Sequence, residues 1–183
     1  MDQRGHPQQW VTEACARDGV DSVMIGCAAQ LTGAGPDDVG LDLDLLGGAG
    51  STPMVRESAA AGYWPRVWAA RALRYAWEDG TRATATAESA LVAGLADEHW
   101  RVREMCAKVV ALHEIGAAGD ALARVVDDDV PRVRAAAVDA LGAVGEHEHL
   151  ELVVAAQADP DPAVARAAER AEEALRRRLD LPW

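Results

Sequence analysis

The side chains of this sequence best suited to recognition are tryptophans set beside arginines. Trp64 and Trp68 lie one helical turn apart, Trp100 opens "WRVREMC" with Arg101 and Arg103 close behind, and Arg132 and Arg134 follow in "PRVR". An indole supplies a large rigid face and a guanidinium a planar set of donors, the residue types favoured at protein-binding hot spots. Other groups invite chemistry and lack its partners. Cys106, in "REMCAKVV", would need a base to become a nucleophile, and none is legible, so it reads as core. "GGAGST" (47–52) suggests a phosphate loop but lacks the Gly-Lys-Ser/Thr ending, and the residues around it are acidic. No catalytic residue, metal ligand or cofactor site is assigned.

The totals narrow the partners. Formal net charge is −12, and lysine occurs once, at Lys108. A chain this acidic repels phosphate backbones unless cations cluster on one face, so nucleic acid is excluded as the expected partner, and basic protein partners fit the excess better. Cys15, Cys27 and Cys106 are an odd set without CxxC spacing, which points to a reducing compartment. The start, "MDQRGHPQQW", has no apolar signal core, and no apolar run approaches the ~20 residues that cross a bilayer. A soluble, cytoplasmic protein without membrane contact is expected.

What must position these side chains is a repeated element. Val67, Val102, Val133 and Val164 recur at intervals of 35, 31 and 31 residues. Pro65, Trp100, Pro131 and Pro162 share one column of that register, and Arg66, Arg101, Arg132 and Ala163 the next. Asp161-Pro162 reads as N-cap and N1, and Gly116 and Gly145 as helix ends able to take the left-handed conformation. Val133, Ala136, Ala137, Ala140, Leu141 and Val144 mark one buried helical face. Phe is absent and Ala abundant, so the helices must approach closely. Expected inner helices are 65–79, 99–115, 131–144 and 162–178, with outer partners 82–95, 118–127 and 147–157 and the first partner somewhere in 37–60.

"DDDVPRVRAAAVDALGAVG" and "DPDPAVARAAERAEEAL", with "DEHWRVREMCAKVVALHEIG" as a weaker copy, resemble the HEAT repeat, and more narrowly the short HEAT-like repeats of phycobilisome lyases. The resemblance covers about residues 63–178. It implies an all-α superhelix, an α-solenoid of about four helical hairpins whose "PRVR" helices line the inner side. Residues 1–62 stand outside the register as a helical cap, "PQQWVTEACARDG" with "DSVMIGCAAQLTG", followed by a Gly-rich connector. Residues 63–183 hold the repeats, the whole forming a single domain. In the connector, Val39, Leu41, Leu43 and Leu45 alternate with a strand period, but a lone strand would lack a partner, so a short helix or ordered loop is expected.

Three activities known on such folds find weak support in these residues. His113-Glu114 and "EHEHLE" (146–151) resemble the His-Glu pairs of deoxyhypusine hydroxylase, yet the matching positions here are Arg103-Glu104, Arg134-Ala135 and Ala165-Arg166. The HEAT-like alkylpurine DNA glycosylases use a basic aromatic groove, whereas acids outnumber bases here. Nothing identifies the tetrapyrrole site of a bilin lyase. In HEAT-like folds the repeat arginines pair with turn acids, for which Asp97, Asp129 and Asp161 are the candidates. The expected function is therefore a non-catalytic scaffold binding a protein or peptide through Trp64, Trp68, Trp100, Arg103 and Arg134. Ala69, Ala72, Ala107 and Ala135 would give the partner room to approach. The alternative is an enzyme or small-ligand carrier with a site near the Gly-rich segment 33–52, using carboxylates such as Asp42 or Asp44.

Overall fold

The computed structural model describes residues 5–35 and 38–182; Pro36 and Asp37 of the Gly-rich segment lie outside them. Among the described residues there are eleven α-helices, four short 3₁₀ turns and no strand. The all-α class expected from the sequence is the class observed. The chain divides into two compact units, residues 1–94 and 95–183.

In the first unit, α1 (Pro7–Asp18) and α2 (Val20–Leu31) pair as the expected hairpin. Pro7 occupies N1 of α1, where its missing N–H is no loss, and His6 caps the end through a reciprocal pair with Gln9. The alternating leucines of the connector build α3 (Leu43–Gly47), started by Asp42 as N-cap and followed by α4 (Ser51–Glu57). Leu43 and Leu46 are buried, three residues apart, so helical rather than strand spacing decides which side is covered. α5 (Trp64–Ala72) packs on α2 and α3, and α2 also packs on α6 (Arg82–Gly94). The missing partner of α5 within 37–60 is thus α3.

α5 stops well before the expected residue 79. Arg74 and Tyr75 donate their N–H groups three residues back, to Arg71 and Ala72, so the end of the helix tightens into a 3₁₀-type turn. Trp77 consequently lies beyond the helix, its indole N–H donating to Asp79 at 2.8 Å.

The second unit holds α7 (Trp100–Leu112), α8 (Gly119–Val125), α9 (Pro131–Val144), α10 (Leu150–Ala155) and α11 (Pro162–Arg178). α9 packs between α7 and α11, while α8 and α10 back onto this row, so the hairpins stack as a solenoid within the unit. Val102, Val133 and Val164 are fully buried, as Val67 nearly is in the first unit. Asp161 caps α11 by accepting from the Ala163 N–H at 2.8 Å with Pro162 at N1, as its sequence implied.

Helix ends are made differently from expectation. Neither Gly116 nor Gly145 has positive φ; the left-handed residue after α7 is Glu114, at φ 51°. Gly145 is needed for space, because a Cβ there would sit 2.5 Å from the Leu141 carbonyl oxygen and 3.3 Å from the His149 side chain.

Small residues set the helix spacing. Ala69, Ala72 and Ala107 are buried between helices rather than offered to a partner, and Ala135 alone of the four reaches solvent. α9 and α11 approach so closely at Gly142 that a Cβ there would lie 2.7 Å from the Cα of Ala171. Backbone cannot yield as a side chain does. Gly142→Val is expected to destabilise the fold by about 1–3 kcal/mol in urea unfolding, whereas Gly116→Ala, with open space around its Cβ, should change stability far less.

Candidate functional site

Two arginines next to the repeat valines are built into the turns. Arg103 donates Nε and Nη2 to the Asp128 carboxylate at 2.6 and 2.9 Å, while its Nη1 donates to the backbone carbonyls of Asp97 and Glu98 at 2.8 and 3.2 Å. Arg134 repeats the pattern one unit on. Its Nε and Nη2 reach Asp159 at 2.7 and 2.9 Å, and its Nη1 reaches the carbonyl of Asp128 at 2.9 Å. Each guanidinium therefore closes the turn ahead of its own helix and grips the turn of the next hairpin, bidentately.

The carboxylates chosen are Asp128 and Asp159 rather than Asp129 and Asp161. The reason is local: Asp128 also accepts from the Val130 N–H and Asp159 from the Asp161 N–H, both two residues on, which fixes their side chains across the turn. Asp97 makes the same turn with the His99 N–H at 2.8 Å. Asp97, Asp128 and Asp159 recur at 31-residue intervals, a column the sequence held in plain view.

Burial raises the Asp128 carboxyl, but the Arg103 hydrogen bond, the Val130 N–H and the charges of Arg103 and Arg134 outweigh it, leaving it below the ordinary range. Hydrogen bonding from Arg134 lowers Asp159 likewise. A cleft of about 540 Å³ lies beside this pair of turns, walled by Asp127, Asp128, Asp129 and Asp159 with Arg134.

The alternate arginines do something else. Residues 132 and 134 are about 200° apart around α9, so Arg132 points away from the ladder. Arg101 lies 4.4 Å over the Trp100 ring and Arg132 lies 5.5 Å from it, while His99 stacks alongside at 6.1 Å. Arg132 donates Nε and Nη2 to a single oxygen of Glu104 at 3.1 and 3.0 Å, and the Lys108 ammonium donates to that same oxygen at 2.6 Å. Glu104 is buried, whereas the side chains of Arg132 and Lys108 are 68% and 43% exposed. Trp100 is half-buried, and Leu112, at the far end of α7, is 51% exposed. Nothing in the sequence singled out Glu104; a buried acid shared by two cations shows only in three dimensions.

Residues 88–175, running from α6 through α11, match the family model for HEAT repeats. This region belongs to the HEAT repeat family. No curated protein and no solved structure matches the chain. Among these HEAT repeats the arginine–aspartate ladder joins the α7, α9 and α11 hairpins, and Trp100 meets the other two arginines, Arg101 and Arg132.

The other expected contact residues lie before the HEAT repeats. Trp68 is 5% exposed and belongs to the core of the first unit. Trp64, half-buried, stacks on it at 5.9 Å and meets Tyr63 at 5.1 Å. The glycines of the connector make room for indoles: a Cβ at Gly47 would be 2.7 Å from the Trp68 ring, and one at Gly48 2.6 Å from that of Trp10. Arg71 reaches from α5 to the Leu46 carbonyl at 2.6 Å, tying the end of α3 down. The amides that suggested a phosphate loop face the chain's own anion. Asp44 accepts from the Thr52 N–H at 2.9 Å, and this bond, with the Gly50 and Ser51 amides, holds its carboxyl below the ordinary range.

The remaining reactive types are structural. Cys27 and Cys106 are fully buried and burial drives their thiols strongly upward, away from nucleophilic use. His149 is buried, its Nδ1 accepting from the Glu146 N–H at 2.9 Å, and His113 closes α7. Among the described residues no three His, Cys, Asp or Glu side chains converge as a metal site would require. No helix among them is long and apolar enough to cross a membrane.

The ladder makes a testable demand on pH. Asp128 and Asp159 titrate lower in the folded chain than in the unfolded one. Their stabilisation is therefore complete above the unfolded value near pH ~4 and is lost as pH falls through the folded values. Asp159→Asn should cost about 1.5–3 kcal/mol at neutral pH, and its stability should fall less steeply than wild type under acid, as read by urea unfolding across a pH series.

Proposed function

We propose that the chain is a non-catalytic protein-interaction module whose docking face is the side of α7 and α9 around Trp100. HEAT repeats commonly mediate protein–protein interaction, which is the coarse support. The observation that carries the finer reading is Trp100 itself: a partly exposed indole with two arginines against its ring on helices α7 and α9. Stacking fixes both guanidiniums in advance, so a partner meets them with little further loss of side-chain freedom. Leu112 continues the surface about three turns along α7, a span of about 18 Å.

The five residues expected to bind have different parts in this proposal. Trp100 makes the contact. Arg103 and Arg134 hold the hairpins that present it, and Trp68, with Trp64 stacked on it, supports the first unit from within. Substituting Arg134 or Trp68 would therefore report on folding before docking.

Trp100→Ala is the direct test. A photo-crosslinking amino acid placed at Leu112 should capture a partner protein from native extract, and Trp100→Ala should weaken that partner's binding by about 30-fold, a hot-spot loss of about 2 kcal/mol, with thermal unfolding nearly unchanged. Full retention of the partner by the folded variant would remove the docking face.

A further inference from the structure

We infer that Glu104 is the positioning residue of the Trp100 face: its buried carboxylate fixes Arg132 of α9 against the indole carried by α7, so the face is assembled across the seam between two repeats. This role rests on the docking reading above and adds the group that sets the face in advance.

An arginine whose side chain is 68% exposed ordinarily samples many rotamers. Arg132 is tethered instead. Its Nε and Nη2 donate to one oxygen of Glu104 at 3.1 and 3.0 Å, and its guanidinium lies 5.5 Å from the Trp100 ring. Among the described residues Glu104 is the one carboxylate within ion-pair distance of Arg132. Lys108, one turn further along α7, brings a second cation to the same oxygen at 2.6 Å. A covered carboxylate has lost its water and relies on such partners, so it holds Arg132 more firmly than a surface pair would. With the exposed acids Glu98 and Asp129 in the flanking turns, the face carries both signs. Fixed geometry distinguishes it, not net charge.

The repeat itself does not call for this acid. The column holding Glu104 reads Ala69, Glu104, Ala135 and Arg166, and the column holding Trp100 reads Pro65, Trp100, Pro131 and Pro162. α9 packs on α11 without an acid at either matching position. Indole and acid thus enter the same helix together, and a buried carboxylate costs stability unless cations answer it. What it provides is a guanidinium held beside Trp100. Because Trp100 and Glu104 belong to α7 and Arg132 to α9, the face exists only while these two hairpins are stacked.

Two measurements test the role. In the free protein, nitrogen relaxation of the Arg132 Nε–H, assigned by its loss in Arg132→Lys, should report an ordered side chain. Glu104→Gln should release it and shift the Trp100 indole N–H resonance. In binding, the probe is a peptide copied from the segment cross-linked at Leu112. Its affinity should fall about five-fold with Glu104→Gln, as much with Arg132→Lys, and no further with both, since the acid acts through the arginine. Arg132→Lys keeps the charge without the planar fork and leaves Lys108 on the buried acid, so it reads the role even where Glu104→Gln costs folding. An Arg132 Nε–H equally ordered in Glu104→Gln, losses that multiply in the double variant, or full affinity in Arg132→Lys overturns the assignment. Failure to capture any partner at Leu112 removes the docking face and this role together. A captured partner indifferent to both substitutions removes the role alone.

Discussion

The stacking of the second unit depends on one contact made twice, an arginine beside the repeat valine gripping an aspartate in the following turn. Its strength lies in its double attachment. Each turn between hairpins leaves backbone carbonyls without helical partners, and a polar group left unpaired costs about as much as the hydrogen bond it lacks. Arg103 and Arg134 supply donors to those carbonyls with Nη1 and still hold the next turn's carboxylate with Nε and Nη2. The pairs are largely covered, with 15–18% of the arginine and 7–11% of the aspartate side chains exposed. A lysine could not do this, because an ammonium lacks the planar fork that serves a carboxylate and a carbonyl together. The contact also sets register. Its reach is 25 residues in both cases, so a slip of one hairpin against the next would break it.

Two residues away, the same helices do the opposite. Arg103 and Arg134 bridge to turn aspartates, whereas Arg101 and Arg132 lie against the Trp100 ring, Arg132 also holding Glu104. The separation follows from the helix, which puts positions i and i+2 on opposing sides. The acids thus accumulate where turns meet, while Arg101 and Arg132 lie against the Trp100 ring where inner helices meet. Net charge, being a sum over both sides, describes solubility and long-range steering and says little about what a given face will hold.

That distinction marks what the sequence could reveal. The period, the inner helices α7, α9 and α11, and the all-α class were legible because buried valines, N1 prolines and small residues recur at fixed intervals. The ladder was half legible. The arginines stood in a column, but in "DDD" (127–129) the choice among three aspartates belongs to the turn, where only Asp128 is aimed by its bond to the Val130 N–H. The first unit was least legible. Its glycines read as a connector between elements, yet Gly47 and Gly48 are placed where Trp68 and Trp10 press against backbone. Glycine in a sequence signals either freedom or close approach, and only the neighbour decides which. The early end of α5 was hidden for a related reason: Arg74 and Tyr75 are ordinary helical residues, and the turn they make lies in the bonding geometry rather than in residue type.

The ladder's limits explain why the two units are held by different means. In the arginine column the first unit carries Trp68, and the last inner helix carries Ala165. α11 receives the ladder through Asp159 and its flanking turn but carries no arginine at that position to pass it on. Ahead of α7, the indole of Trp68 lies in the core, where an apolar residue gains from burial and a guanidinium would need partners that the first unit does not place there. The work of joining elements falls instead to Arg71, which reaches the Leu46 carbonyl, and to indoles seated on glycine. A single column therefore switches from aromatic packing to charged bridging and then to alanine, and the hairpins can be tied by arginine only where that column supplies one.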